Sequence, residues 1–309
     1  MAEQSEYSWG QAALSPGGQW LALRRTVFLP ATKSDLVLIN WREFLQSSKP
    51  FDELVQTPIP GFDVEGFSWA PDKHSLAIAA RKISDERMSP EKKSDLKVYE
   101  FLLDTKQIRQ LPIEQIFGLS PNAWSLKDLL VYKSEDNTIE RVDAENAGKT
   151  LPNISNLAML DLKTGKVTHL FPGEFPSWNH KGLLTYMESP REDLAVLAPP
   201  KRPGGGHQYK DRYYTYNLET GERKLLLENE QPRGKNGSIF SAITWSPDDQ
   251  YILYGRQTGF TGSFDDLYAM EVATGKETLL CRGVDRLYAG ASWVALAQPQ
   301  KSGTEQSQN

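Results

Sequence analysis

A tight-turn sequence set between two strand-like runs recurs five times along the chain at a nearly constant interval. It is clearest in ITWSPDDQYILYGR at 243–256. It echoes in AALSPGGQWLALRR at 12–25, FSWAPDKHSLAIAAR at 67–81, AWSLKDLLVYK at 123–133 and PSWNHKGLLTYM at 176–187. The residue ahead of each turn is Leu14, Trp69, Trp124, Trp178 or Trp245, so successive intervals are 55, 55, 54 and 67 residues. A second marker keeps the same step: Thr-Gly pairs begin at 164, 220 and 274 in DLKTGKVTHL, NLETGERKLL and EVATGKETLL. Two unrelated markers with one period define a repeat architecture, in which each unit buries its face against its neighbours.

Each unit reads as four short strands. In the fifth, SIFSAITW enters the Pro-Asp turn, YILYGR leaves it, DLYAMEV is the third strand, and ETLLC follows the Thr-Gly turn as the fourth. Alternating β-branched and aromatic residues between Gly, Pro and Asp turns support strands over helices; only WREFLQ at 41–46 has a helical look. Pro presets φ for the turn, Asp accepts a nearby backbone N–H, and Thr-Gly supplies the positive φ of a tight hairpin. Four-stranded units at regular spacing point to an all-β propeller.

The run W-S-P-D-D-x-x-I-L-Y followed by D-L-Y-A-M-x-V-x-T-G-K-E-T-L-L resembles the TolB-like, or WD40-like PD40, propeller repeat, over roughly residues 8–283. The resemblance implies a six-bladed ring whose usual work is protein binding. Related propellers of prolyl oligopeptidases and tricorn-type proteases sit beside a hydrolase domain, for which this chain has no room. Five full repeats are followed only by DRLYAGASWVALA at 285–297, similar to the first two strands of another unit. A ring must cover its sheet edges. The expectation is therefore a single propeller domain over residues 8–297, either six-bladed with a reduced last blade or five-bladed and clasped by the C-terminal strands. The polar stretch 298–309 reads as a disordered tail.

Charge narrows the partners. The chain of 309 residues has 35 basic and 40 acidic side chains and a net charge of −5, against the basic stripe of a nucleic-acid or anionic-membrane binder. Its single cysteine, Cys281, excludes an internal disulfide framework, and no apolar run reaches the length of a membrane span. The start MAEQSEYSWG has no signal-peptide pattern, so a cytoplasmic monomer without cofactor is expected; a mature form with an added Met would look the same, which leaves the periplasm open.

Length is distributed unevenly. The first-to-second turns (SPGGQ, APDKH, SLKD, NHKG, SPDDQ) and the third-to-fourth turns (LDTKQ, KTGK, ETGE, ATGK) are short. The second-to-third connections at 81–94, 133–155, 188–211 and 256–265 are long, as is the inter-blade link at 228–240. In an up-and-down blade these long segments share one face, and insertions gathered on one face mark a binding surface; tolerated loop drift is the competing explanation. The segment 188–211 stands out, because Leu194, Val196 and Leu197 are apolar within an insertion and Lys201, Arg202, His207 and Tyr209 follow in a Gly-rich arm. With Phe260 and Phe264 of the next blade, these are the expected partner-binding residues. A private hairpin of Leu194, Val196 and Leu197 is the alternative.

Catalytic patterns are missing: there is no Gly-x-Ser-x-Gly, His-Glu-x-x-His, P-loop or Cys pair. His74, His169, His180 and His207 fall on different blades and faces, which argues against a metal site and against the histidine-dependent oligogalacturonate lyases of similar fold. The pairs Asp248–Asp249, Asp265–Asp266 and Glu192–Asp193 read as turn and loop residues, the periodic tryptophans as inter-blade core, and Cys281 as a buried packing residue. Two function classes remain: a non-enzymatic propeller presenting its looped face to a protein, or a carbohydrate- or small-molecule-binding or polysaccharide-degrading propeller that uses a central pocket on that face.

Overall fold

The structure is a computed structural model that describes residues 7–27, 33–71, 74–83, 95–134, 156–188, 212–228, 243–257 and 264–285. They form five four-stranded antiparallel blades, each with its strands in chain order. Blade 1 holds β1 (Tyr7–Leu14), β2 (Trp20–Val27), β3 (Lys33–Asn40) and β4 (Val55–Gln56). Blade 2 holds β5 (Phe62–Trp69), β6 (Ser75–Lys82), β7 (Lys97–Leu102) and β8 (Gln107–Gln110). Blade 3 holds β9 (Ile116–Gly118), β10 (Leu129–Ser134), β11 (Asn156–Asp161) and β12 (Val167–Pro172). Blade 4 holds β13 (Glu174–Trp178), β14 (Leu183–Glu188), β15 (Arg212–Asn217) and β16 (Arg223–Glu228). Blade 5 holds β17 (Thr244–Trp245), β18 (Tyr251–Gln257), β19 (Phe264–Glu271) and β20 (Glu277–Asp285). The expected all-β propeller is therefore present with five blades rather than six among the described residues. The strands expected from 286 to 297 and the tail at 298–309 lie outside them.

Alternation along the strands builds the core. In β6, Leu76, Ile78 and Ala80 pack toward blade 1 while Ala77 and Ala79 pack toward blade 3, and all five are fully buried. A strand covered on both faces becomes one apolar run, SLAIAA, instead of an alternating pattern. The same division continues around the ring. Tyr132 faces blade 2 and Val131 faces blade 4; Tyr186 faces blade 3 and Met187 faces blade 5. Four apolar clusters thus join the five blades in series. Among the described residues none joins blade 5 to blade 1.

The periodic tryptophans lie inside these clusters, between 3% and 7% exposed, as the repeat required. Their polar edges are placed as well. Trp69 Nε1 donates to the Ala13 carbonyl at 3.0 Å, Trp178 Nε1 to the Ala123 carbonyl at 2.9 Å, and Trp245 Nε1 to the Thr185 hydroxyl at 2.8 Å. Each bond runs to the preceding blade. The inner strands are tied further by side chains that stand in for a backbone partner. Gln11 donates to the Phe67 carbonyl and accepts from its N–H, and Ser68 Oγ accepts from Ala123 N and Trp124 N. Here the chains run so close that a Cβ on Gly66 would stand 2.5 Å from the Leu119 carbonyl oxygen, which excludes any residue but glycine.

Two expectations need amendment. The segment 41–46 is helix α1 (Trp41–Gln46), capped by Asn40 Oδ1 accepting from Glu43 N, but a second short helix, α2 (Phe51–Leu54), follows it. Together they replace the tight third-to-fourth turn of blade 1, and Phe51 meets Trp9 edge-on at 5.4 Å. Cys281 is exposed rather than buried. It sits on β20, the outermost strand of its blade, where blades diverge; the outermost β8 is exposed along its whole length for the same reason.

Replacing Trp245 by Ala removes a buried aromatic and its bond to Thr185, and should cost about 3–5 kcal/mol. Urea unfolding of the variant measures this; an unchanged midpoint would mean that blade 5 does not depend on the blade 4 interface.

Candidate functional site: the tight-turn face and its axial pocket

All five first-to-second turns close by the same backbone bond. Ser15, Ala70 and Ser246 donate their N–H to Trp20, Ser75 and Tyr251 O at 2.7, 3.0 and 2.8 Å. In blades 3 and 4 the turn is one residue shorter, with Ser125 N bonded to Leu129 O and Asn179 N to Leu183 O. WSLKD and WNHKG are therefore a shorter version of the turn. The side chain that opens the turn also accepts from the N–H that closes it, in the pairs Ser15–Trp20, Ser125–Leu129, Asn179–Leu183 and Ser246–Tyr251. One residue in each of these four turns is left-handed: Gly18, Asp128, Gly182 and Asp249. The third-to-fourth turns behave likewise at Gly165, Gly221 and Gly275, and blade 2 holds Lys106 there at φ 55°.

The turns converge on a pocket of about 170 Å³ at the axis, with lining from every blade. Its floor is the set of anchor residues Leu14, Trp69, Trp124, Trp178 and Trp245; its rim, two residues further along each blade, is Pro16, Pro71, Leu126, His180 and Pro247. Across the axis Asn122 Nδ2 donates to Thr244 Oγ1 at 3.3 Å, linking blades 3 and 5. The axial pocket that the structure describes thus opens on the tight-turn face; the connections of the looped face, where the sequence placed a pocket, lie outside the described residues. A second depression of about 200 Å³ lies between blades 1 and 2, beside Trp20, Arg42 and His74.

Blades 4 and 5 are clamped at this rim. The Asp249 carboxylate, with its side chain 3% exposed, accepts from His180 N at 2.9 Å and Lys181 N at 3.0 Å, and His180 Nδ1 stands 3.2 Å from the same carboxylate. Its neighbour Asp248 stays within its own turn, accepting from Ser246 Oγ at 2.6 Å and Gln250 N at 3.1 Å. Both are turn residues, as the motif implied. The reach of Asp249 into the next blade has no local pattern, since the partners are 69 positions apart.

The second-to-third connections leave from Val27, Lys82, Ser134, Glu188 and Gln257 and return at Lys33, Lys97, Asn156, Arg212 and Phe264, on the face opposite to the turns. Of the expected partner-binding residues, Leu194, Val196, Leu197, Lys201, Arg202, His207, Tyr209 and Phe260 lie outside the described residues. Phe264 opens β19, paired in register with Asp285. Arginines in blades 4 and 5 lie over aromatic rings and reach along their blades. Arg223 lies 3.5 Å from the Tyr214 ring centroid and pairs with Glu188, while Arg256 lies 4.7 Å from that of Tyr268 and pairs with Glu277. Lys133 is held between Phe117 and Phe175 at 5.5 and 5.3 Å. Burial pushes the phenols of Tyr186 and Tyr254 well above their ordinary value and that of Tyr132 up to about 12, so these groups are packed and neutral. Arg212, where the 188–211 connection returns, is ion-paired and hydrogen-bonded to Glu228, which raises its guanidinium further. Among the described residues no three His, Cys, Asp or Glu side chains group as a metal site, and no helix is long and apolar enough to cross a membrane.

No family model matches the chain, and no curated protein matches it in sequence. Solved structures do match in shape. TolB from Acinetobacter baumannii superimposes with a TM-score of 0.55 at 14% identity, over 90% of this chain and 56% of that one. A protein assigned as TolB in Agrobacterium tumefaciens gives 0.55 at 11% identity, over 91% of this chain and 84% of that one. A puromycin hydrolase S511A mutant complexed with PGG gives 0.52 at 14% identity, over 92% of this chain but 39% of the hydrolase. The chain thus spans little more than half of the Acinetobacter protein and well under half of the hydrolase. At these identities the likeness is one of fold: the chain has the TolB-like propeller fold.

Two measurements test the turn chemistry. Asp249→Ala strips two backbone N–H groups of their acceptor and should cost about 2 kcal/mol in urea unfolding. Asp248 responds to pH instead. The Ser246 hydroxyl, and then the Gln250 N–H, hold its carboxyl below the ordinary 3.8. Its stabilising effect is therefore present above that value and is lost as pH falls through the lower folded one. The stability difference between the parent and Asp248→Ala, measured in urea at pH 7, should shrink on acidification below pH 3.8.

Proposed function

We propose that this chain is a non-catalytic propeller module that holds a protein partner on its looped face. The division between the faces carries the reading. In blades 2 to 4 the turns on one face are short and closed by backbone bonds, whereas the second-to-third connections on the other run over 83–96, 135–155 and 189–211; blade 1 alone reverses this, with α1 and α2 on the turn face. Random drift in length should affect both faces. The loop charges are mixed in sign, which suits a protein surface better than a polyanion. The aliphatics Leu194, Val196 and Leu197 with Tyr209 supply the apolar anchor, and Lys201, Arg202, His207, Phe260 and Phe264 supply its surroundings. The TolB-like fold, shared with solved TolB structures, supports an interaction module, and a hydrolase shares the fold over 39% of its length. The buried carboxylate beside His180 is occupied by backbone N–H groups, which speaks for a structural use of that pair. The reading includes the monomeric, cytoplasmic state expected from the sequence, with the periplasm as the alternative for a processed form.

The test is a triple variant, Leu194→Ser, Val196→Ser and Leu197→Ser, used as bait beside the parent in extracts of the native organism. The variant should lose the partner and keep its melting temperature within about a degree or two, as a surface change would. Lys181→Ala, at an exposed position of the tight-turn face, should retain the partner. A folded triple variant that still captures it would overturn the proposal, and so would a triple variant that unfolds, because the aliphatics would then be core.

A further inference from the structure

We propose that the axial pocket on the tight-turn face is a second, separate binding site for a small uncharged molecule with an apolar body and one hydrogen-bond donor. It stands apart from the looped-face reading, since it opens at the other end of the axis.

The argument begins with the rim. Four blades place an apolar residue two positions beyond the anchor, Pro16, Pro71, Leu126 and Pro247, and blade 4 alone places an imidazole there, His180. The turn itself closes equally with proline or leucine there in the other blades, so the imidazole adds a polar edge that they lack. The imidazole is also oriented. Asp249 lies against its Nδ1 at 3.2 Å; a carboxylate has no hydrogen to give, so the ring hydrogen resides on Nδ1 and Nε2 is left as an acceptor. No protein group among the described residues bonds to Nε2, and the side chain is 51% exposed.

The remaining lining defines what such an acceptor would meet. None of the lining residues is Lys, Arg, Asp or Glu, so an ion would enter with no counter-charge, at a high desolvation cost. The hydroxyls of Ser15 and Ser125 and the Asn179 carbonyl are engaged by their own turns, and Asn122 donates to Thr244. The walls are otherwise tryptophan, proline and leucine. At about 170 Å³ the space is smaller than the 300–1,000 Å³ or so of sites for drug-sized ligands and suits a single ring. Because the turns that frame it are fixed by backbone bonds, little order remains to be imposed on binding.

The test uses p-cresol and toluene, which differ by one hydroxyl, with the isotope-labelled full-length protein observed by NMR. p-Cresol should shift the His180 ring and the Trp178 and Trp245 indole resonances saturably, with an affinity about tenfold above that of toluene. His180→Phe retains the backbone N–H that Asp249 binds, so the fold should persist while the preference for p-cresol disappears. Leu126→Asp, at a rim position that is 48% exposed, should weaken both probes. Absence of a saturable shift with p-cresol would overturn the proposal, and so would a tenfold preference that survives in His180→Phe.

Discussion

A sheet with apolar side chains on both faces cannot stand in water, and every inner blade of this protein is such a sheet. In β6 five consecutive residues are fully buried, alternately by the blade before and the blade after. Burial of this kind has no direction of its own; it would permit blades to slide over one another. The hydrogen bonds of the tryptophan indoles, Gln11 and Ser68 supply the missing registration, because each requires a particular carbonyl, N–H or hydroxyl on the neighbouring blade. Once the anchors are registered, the turns that follow them must gather at the axis. The pocket and the clamp from Asp249 to His180 are consequences of that placement.

The two ends of the ring differ in how their polar groups are used. At the turn end, carboxylates and hydroxyls satisfy backbone N–H groups within two to five residues, and Asp249 extends the habit to the next blade. Toward the looped end, long cations lie along aromatic faces, and Arg223 reaches from the start of β16 over Tyr214 to Glu188, two strands away. The first arrangement fixes backbone shape. The second lays charged side chains across the blades beneath the connections.

Much of the architecture was legible because the turn chemistry is local: the Thr-Gly pairs of three blades each mark a positive φ, at Gly165, Gly221 and Gly275. Legibility failed where another residue adopts the same backbone. Lys106 takes the left-handed position that glycine holds in three other blades, so blade 2 lacks the Thr-Gly marker while keeping the hairpin. Helix α2 has four residues, too few for a periodic pattern. Cys281 was misplaced because exposure on an outermost strand depends on how far neighbouring blades diverge, a tertiary property. The looped face was visible only as length, and the His180–Asp249 contact was not visible at all, since the sequence carries no signal for a contact between turns of successive repeats.

The inter-blade bonds also have an order in time. Trp69, Trp178 and Trp245 each reach back to a blade made earlier, and the Trp124 N–H does the same to Ser68. During synthesis an emerging blade therefore meets a docking surface already made, with the acceptor for its anchor in place. Chains that grow at about 5–20 residues per second would add one such unit every few seconds. Assembly blade by blade can then keep pace with the ribosome.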